Sequence, residues 1–174
     1  MALAEGLWTF EGIPAHPLLV HAVVVLLPLA AVCGALIAIR PAWRRRYGVP
    51  VALLTVVAVA AVPVTQKAGE QLEAKLAALD NPLIARHAAL GETLLPYAVV
   101  FGVLVLALVA VGLLSDRPGQ ASHSAASAST RRPWRLLSGV LAVLVVLSGA
   151  ATVTQVVRIG HSGSTAVWQG VGTQ

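Results

Sequence analysis

The chain has 174 residues, of which 57% are hydrophobic and only 11% are charged, and its mean hydropathy is +0.83. A soluble domain of this length needs more polar side chains to cover its surface, so these values exclude a soluble globular protein and indicate an integral membrane protein. The formal net charge of +5 is accounted for by the loops between the predicted membrane spans. It requires no nucleic-acid partner.

The opening stretch "MALAEGLWTFEGIPAHP" carries acidic residues where a signal peptide has its positively charged region. The first apolar run is therefore expected to be a retained membrane helix. A bilayer-spanning helix needs about 20 mostly apolar residues. The sequence predicts an all-α, integral membrane four-helix bundle, a single domain over residues 1–174, with helices at about 17–39, 49–66, 82–114 and 136–160.

Two connecting segments differ in character. Residues 67–80 place Leu72, Leu76 and Leu79 at helical spacing among charges, which predicts an amphipathic helix over the bundle or on the membrane surface. Asn81 and Pro82 then provide a cap and a first helical residue for helix three. Residues 115–135 are rich in Ser and Ala and are expected to be a flexible loop.

Basic residues predict the orientation of the bundle. The first and third loops carry eight arginines, and the opposite side carries four basic residues over longer segments. The positive-inside rule places those two loops in the cytoplasm and both termini outside, in a multi-pass protein of the bacterial cytoplasmic membrane. The residues counted are Arg40, Arg44, Arg45, Arg46, Arg117, Arg131, Arg132 and Arg135, against Lys67, Lys75, Arg86 and Arg158.

Four of the five histidines fall on the predicted outer side, on three different helices: His16, His21, His87 and His161. The fifth, His123, lies in the cytoplasmic loop and is expected to be a solvated bystander. Ionisable groups in or near a membrane bundle are costly and usually pair with or bind something, and imidazole is the commonest metal ligand. The single cysteine, Cys33, excludes an intrachain disulfide and a cysteine-based metal cage.

The spacing of the histidines along the chain indicates which side of a helix each one occupies. His16 and His21 are separated by about 140° on an ideal helix, so we expect His21 to face the bundle and His16 to cap the helix, form a hydrogen bond or bind at the surface. Gly91 lies one turn after His87 and leaves a gap for a flat macrocycle or a neighbouring backbone. Pro96, close to the predicted outer side, is expected to bend helix three.

Two classes of bound cofactor fit this pattern. In the first, b-type haem is held by His21 with His87, or by one of these with His161, while Arg86, Lys67 or Arg158 meets the propionates and Gly91 gives room. Such a protein would transfer electrons, with quinone or an extracytoplasmic redox protein as partner. In the second class, three of the four outer histidines hold Zn or Cu without redox chemistry, with a nearby glutamate as a further ligand.

The third possibility is a structural or assembly subunit without a cofactor, in which the histidines only form hydrogen bonds. Whether further copies complete an oligomer is left open. No nucleophile with an adjacent base, phosphate-binding loop or paired carboxylates is present, so no catalytic residue is predicted and the question of an enzyme stays open.

Three motifs, "HPLLVH", "ARHAALGE" and "GHSGSTAVW", resemble an uncharacterised family of four-helix bacterial membrane proteins classed as a domain of unknown function. Its signatures are an HPxxVH opening and a GHxG-type closing motif, and the resemblance runs from Pro14 to Trp168. Relatives fused to Rieske or cytochrome c modules imply electron transfer by association. One departure is "HAVV" after His21, where the family commonly has "HFPI".

Overall fold

The computed structural model describes residues 8–115 and 127–169, with side chains for all of these except 115 and 127–133. Its helices are α1 Ala15–Ile39, α2 Pro41–Leu76, α3 Pro82–Glu92, α4 Leu94–Ser115 and α5 Ser127–Trp168, with a short 3₁₀ turn at Ala77–Leu79. Four helical segments are long and apolar enough to cross a membrane. The predicted all-α membrane four-helix bundle is confirmed.

The four segments run up and down, and each packs against two neighbours: α1 and α4 both lie against α2 and α5. Phe101 of α4 is fully buried at the centre of the apolar core. Its ring lies against Gly34 of α1 and Gly149 of α5, where a Cβ would stand 3.4 and 3.3 Å from ring atoms. Small residues thus let three helices close around one large side chain.

The bundle has two chemically different ends. The histidine end contains the start of α1, the 77–81 connection between α2 and α3, and the end of α5. The arginine end contains the junction between α1 and α2, with Arg40 and the arginines that follow it, and the beginning of α5. His16 and His87 both lie at the histidine end.

Helix α2 is longer than the apolar run within it. It begins at Pro41, because proline is compatible with a first helical position, and it continues to Leu76 without a break. The amphipathic segment expected at 67–80 is therefore mostly a continuation of the membrane helix. The helix α5 likewise begins at Ser127, inside the predicted flexible loop, and residues 116–126 of that loop lie outside the described residues.

The third membrane segment is divided at Thr93, which separates α3 from α4. Pro96 in the first turn of α4 has no N–H to donate to the carbonyl of Glu92. The side chain of Gln66 on α2 supplies donors instead, with Nε2 at 2.8 Å from the Gly91 carbonyl oxygen and 3.4 Å from that of Glu92. The carbonyl groups at this break, which lies close to the bend predicted at Pro96, therefore accept hydrogen bonds from α2.

A second glutamine, Gln155 on α5, makes a hydrogen bond to Thr93 at the same break. Gln155 is 5% exposed, and its Nε2 donates to Oγ1 of Thr93, which in turn donates to the Leu90 carbonyl. One turn earlier on α5, Thr152 donates to the Tyr97 carbonyl of α4 at 3.2 Å. These buried polar groups are therefore paired across helix interfaces, as an apolar surrounding requires.

Aromatic side chains mark both ends of the bundle. All Trp, Tyr and Phe residues lie in the described part of the chain, and Phe101 alone among them is buried. The exposed ones are Trp43, Tyr47 and Trp134 at the arginine end, and Trp8, Phe10, Tyr97 and Trp168 towards the histidine end. Aromatic residues favour the two membrane–water interfaces, so this distribution matches a bundle that spans a bilayer.

Candidate functional site: a histidine pair at one end of the bundle

Two histidines from different helices meet at the histidine end. His16 lies in the first turn of α1 and His87 in the middle of α3, and both side chains are half-buried. Their ring centroids are 6.4 Å apart and the ring planes make an angle of 75°. Two of the four predicted ligands therefore form one local site.

His16 is fixed against α2. Its Nδ1 lies 3.1 Å from the backbone carbonyl oxygen of Thr65, and this oxygen can only accept, so Nδ1 carries the hydrogen. Gly69 leaves the space that the ring occupies, since a Cβ at this position would lie 2.9 Å from Cε1 of His16. Glycine is required here by close approach of the imidazole to the helix backbone.

His87 is fixed in the same way against α5. Its Nδ1 lies 3.0 Å from Oγ of Ser162, and Ser162 donates its own hydrogen to the Ile159 carbonyl at 2.7 Å. The hydroxyl oxygen consequently accepts from Nδ1–H of His87. A Cβ at Gly163 would lie 2.9 Å from Cε1 of the same ring.

These hydrogen bonds assign the same tautomer to both rings. With the hydrogen on Nδ1, Nε2 of His16 and of His87 carries the lone pair that binds a metal. In a metal-ligating histidine, the other ring nitrogen usually donates a hydrogen bond that fixes the orientation of the ring.

One polar atom close along the chain to these groups lacks a partner. Gln71 lies on α2 between Gly69 and Glu73, and its Oε1 accepts from the backbone N–H of Trp8 at 3.0 Å. Its Nε2 is buried and makes no hydrogen bond to any described residue. A buried donor of this kind is costly unless another group meets it.

The expectation that His21 faces the bundle is wrong, whereas the hydrogen bond expected as one role of His16 is present. His21 is exposed, and its Nδ1 bonds to the Pro17 carbonyl one turn earlier on the same helix. The reason lies in the buried stripe of α1, in which Val23, Ala30 and Ile37 follow His16 at successive intervals of seven residues. His16 is in register with the core, and His21 is not.

The remaining predicted residues lie outside the pair. His161 is exposed on α5, one residue before Ser162, and Arg86 is exposed on α3, one residue before His87. Gly91 is half-buried, and a Cβ there would meet nothing within 4 Å. His123 lies outside the described residues.

Within residues 8–115 and 127–169, no three His, Cys, Asp or Glu side chains come close enough to hold a metal ion. The structure therefore brings two of the four predicted histidines together, and does not bring three together as the Zn or Cu hypothesis expected. The pair itself offers two imidazoles.

Sequence reasoning did not connect four residues with the rings of the pair: Thr65, Gly69, Ser162 and Gly163. A signal for Gly163 was present, because the motif "GHSGS" places it in register with the buried Val156, seven residues earlier. The carbonyl of Thr65 had no signal in the sequence, since any residue there has one. Such a partner is found only when the helices are packed.

Comparison with known proteins agrees with this architecture. No curated protein and no solved structure matches the chain. The family described as Predicted membrane protein (DUF2231) matches residues 12–174. This match includes all four membrane segments and both histidines of the pair, and the chain therefore belongs to the DUF2231 family of predicted membrane proteins.

Proposed function

We propose that the protein binds b-type haem between His16 and His87 and transfers electrons at the membrane. The observation that carries this proposal is the separation of the two ring centroids, 6.4 Å. When two imidazoles bind one metal through Nε2 from opposite sides, their ring centroids are about 6 Å apart, because each metal–nitrogen bond is about 2 Å long. In a tetrahedral site the centroids are about 5 Å apart. The separation of 6.4 Å is close to the value for two histidines that would hold one haem iron from its two sides.

The number of ligands supports haem over zinc. Zinc in proteins takes four ligands, with at least three from the protein, and the described residues offer no cluster of three. Haem iron needs only two axial ligands, because the macrocycle supplies the other four. A site with two histidines suits the second case.

The surroundings of the pair offer what a haem requires from a protein. The hydrogen bonds at Nδ1 to Thr65 and Ser162 orient both rings and make Nε2 a better electron donor. Gly91 follows His87 by one turn of α3 and has open space where a Cβ would stand, and the buried Nε2 of Gln71 on α2 is a donor that a haem carboxylate would satisfy. Bound haem iron supplies one-electron redox chemistry, with quinone or a redox protein outside the membrane as the proposed partner.

A copper ion is the second candidate. The two neighbouring imidazoles also suit copper, for which imidazole is a good ligand, and an ion needs no space for a macrocycle. The two candidates differ in spectrum and in metal content, so one preparation distinguishes them.

The test is a visible spectrum of the detergent-purified protein, as isolated and after dithionite, with metal analysis of the same sample. We expect a Soret band, reduced α and β bands, and one iron per chain. His16→Ala and His87→Ala should each abolish the bands, and the matched His21→Ala and His161→Ala variants should keep them. A colourless protein with stoichiometric copper would establish the second candidate, and one with neither would reject both.

A further inference from the structure

The N-terminal hairpin presents an apolar face that no other described part of the chain covers. Strand β1, Thr9–Phe10, pairs antiparallel with β2, Ile13–Pro14, and Phe10 stands directly opposite Ile13. The two residues of the turn both have positive φ, the geometry of a tight hairpin turn. Cross-strand partners share a face, and Phe10 is 64% and Ile13 55% exposed.

Few contacts hold this hairpin to the bundle. The backbone N–H of Trp8 donates to Gln71, and the N–H of Ala15 donates to the Trp8 carbonyl at 2.8 Å. A two-stranded hairpin is only marginally stable in water, and exposed apolar faces usually mark a contact surface. Something else should cover Phe10 and Ile13.

The position of the hairpin indicates what covers it. It joins α1 directly, and the exposed apolar side chains of α1 run from Leu18, which is 47% exposed, to Ile39, with His21 as an exposed polar residue among them. From Leu18 to Ile39 this surface is about 32 Å long at 1.5 Å per residue, close to the thickness of a bilayer core of about 30 Å. The hairpin therefore lies one helical turn beyond the hydrocarbon, at the level of the lipid headgroups.

We infer that the hairpin of residues 8–14 is an interfacial anchor, whose Phe10 and Ile13 side chains lie in the lipid headgroup layer at the histidine end. Aromatic residues are favoured at this depth. The anchor would fix the depth of the first turn of α1 in the bilayer. This inference does not depend on the bound cofactor.

Site-directed spin labelling tests the anchor, because Cys33 is the only native cysteine. In a Cys33→Ala chain, Phe10→Cys is labelled and the protein is reconstituted in phosphatidylglycerol–phosphatidylethanolamine vesicles. Leu79→Cys is the matched control: Leu79 is 65% exposed at the same end, and it follows α2, whose 36 residues are about 54 Å long at 1.5 Å per residue and so extend well beyond a bilayer core of about 30 Å. Collisions with oxygen, which concentrates in lipid, are compared with those of a water-soluble nickel chelate.

We expect oxygen to exceed the nickel chelate at position 10 and the reverse at position 79. Nickel accessibility at position 10 equal to that at 79 would overturn the inference, since the hairpin would then lie in water. Protection from both reagents would also overturn it, in favour of a protein contact. Should the labelled chain fail to insert, Trp8 fluorescence in a W43F/W134F/W168F chain, quenched by brominated lipid or by iodide, gives the same discrimination.

Discussion

Gly163 lies directly against the imidazole of His87: a Cβ at this position would stand 2.9 Å from Cε1 and 3.2 Å from Nδ1. The Gly163→Ala substitution must therefore displace the ring or the helix. We expect the variant to insert into the membrane but to retain much less haem per chain, as measured by the reduced spectrum. Gly160→Ala, one turn away with nothing within 4 Å, is the control, and equal haem content in both would contradict the close approach.

Ser162 is a positioning residue for His87. Ser162→Ala removes the acceptor for Nδ1–H, so the imidazole becomes a poorer electron donor to a bound iron. Because a weaker donor stabilises the oxidised iron less, we expect the midpoint potential to rise while haem is retained. Ser164, which bonds only to the backbone of its own helix, gives the matched Ser164→Ala control, and an equal potential in both variants would remove this role.

Phe101 should dominate the stability of the bundle. Phe101→Ala leaves a cavity between α1, α4 and α5, and the loss in the free energy of unfolding is expected to be about 3–5 kcal/mol. Val103 on the same helix is 60% exposed, so Val103→Ala should cost far less. Unfolding in mixed detergent micelles measures both, and similar losses would show that the two positions do not differ in packing.

The orientation of the bundle remains a prediction from its charges. Reporter enzymes fused at the junction of α1 and α2, at Arg40, and at the C-terminus should report cytoplasmic and extracytoplasmic locations respectively. The opposite result would place the histidine pair on the cytoplasmic side. The reporter activities alone decide this, independently of any cofactor.

The sequence predicts the membrane spans well because hydrophobicity is a property of each segment alone. It also locates the histidines at one end of the bundle. Each span reverses the direction of the chain, so the starts of the first and third spans and the end of the fourth lie at the same end. To choose between His16 and His21, one must know which side of α1 is buried. The sequence does not indicate this side, because α1 is apolar all around. The partners of the rings, a carbonyl on α2 and a hydroxyl on α5, arise only from packing.

The break at Thr93 has a mechanical consequence. Helix α3 packs against α5 and α2, and Gln66 and Gln155 hold its junction with α4 through side chains where Pro96 interrupts the backbone ladder. Membrane helices tilt when the bilayer becomes thinner or thicker. Such a tilt of α4 can be absorbed at Thr93, as at a joint, so that His87 keeps its place beside His16 while the span beneath it moves.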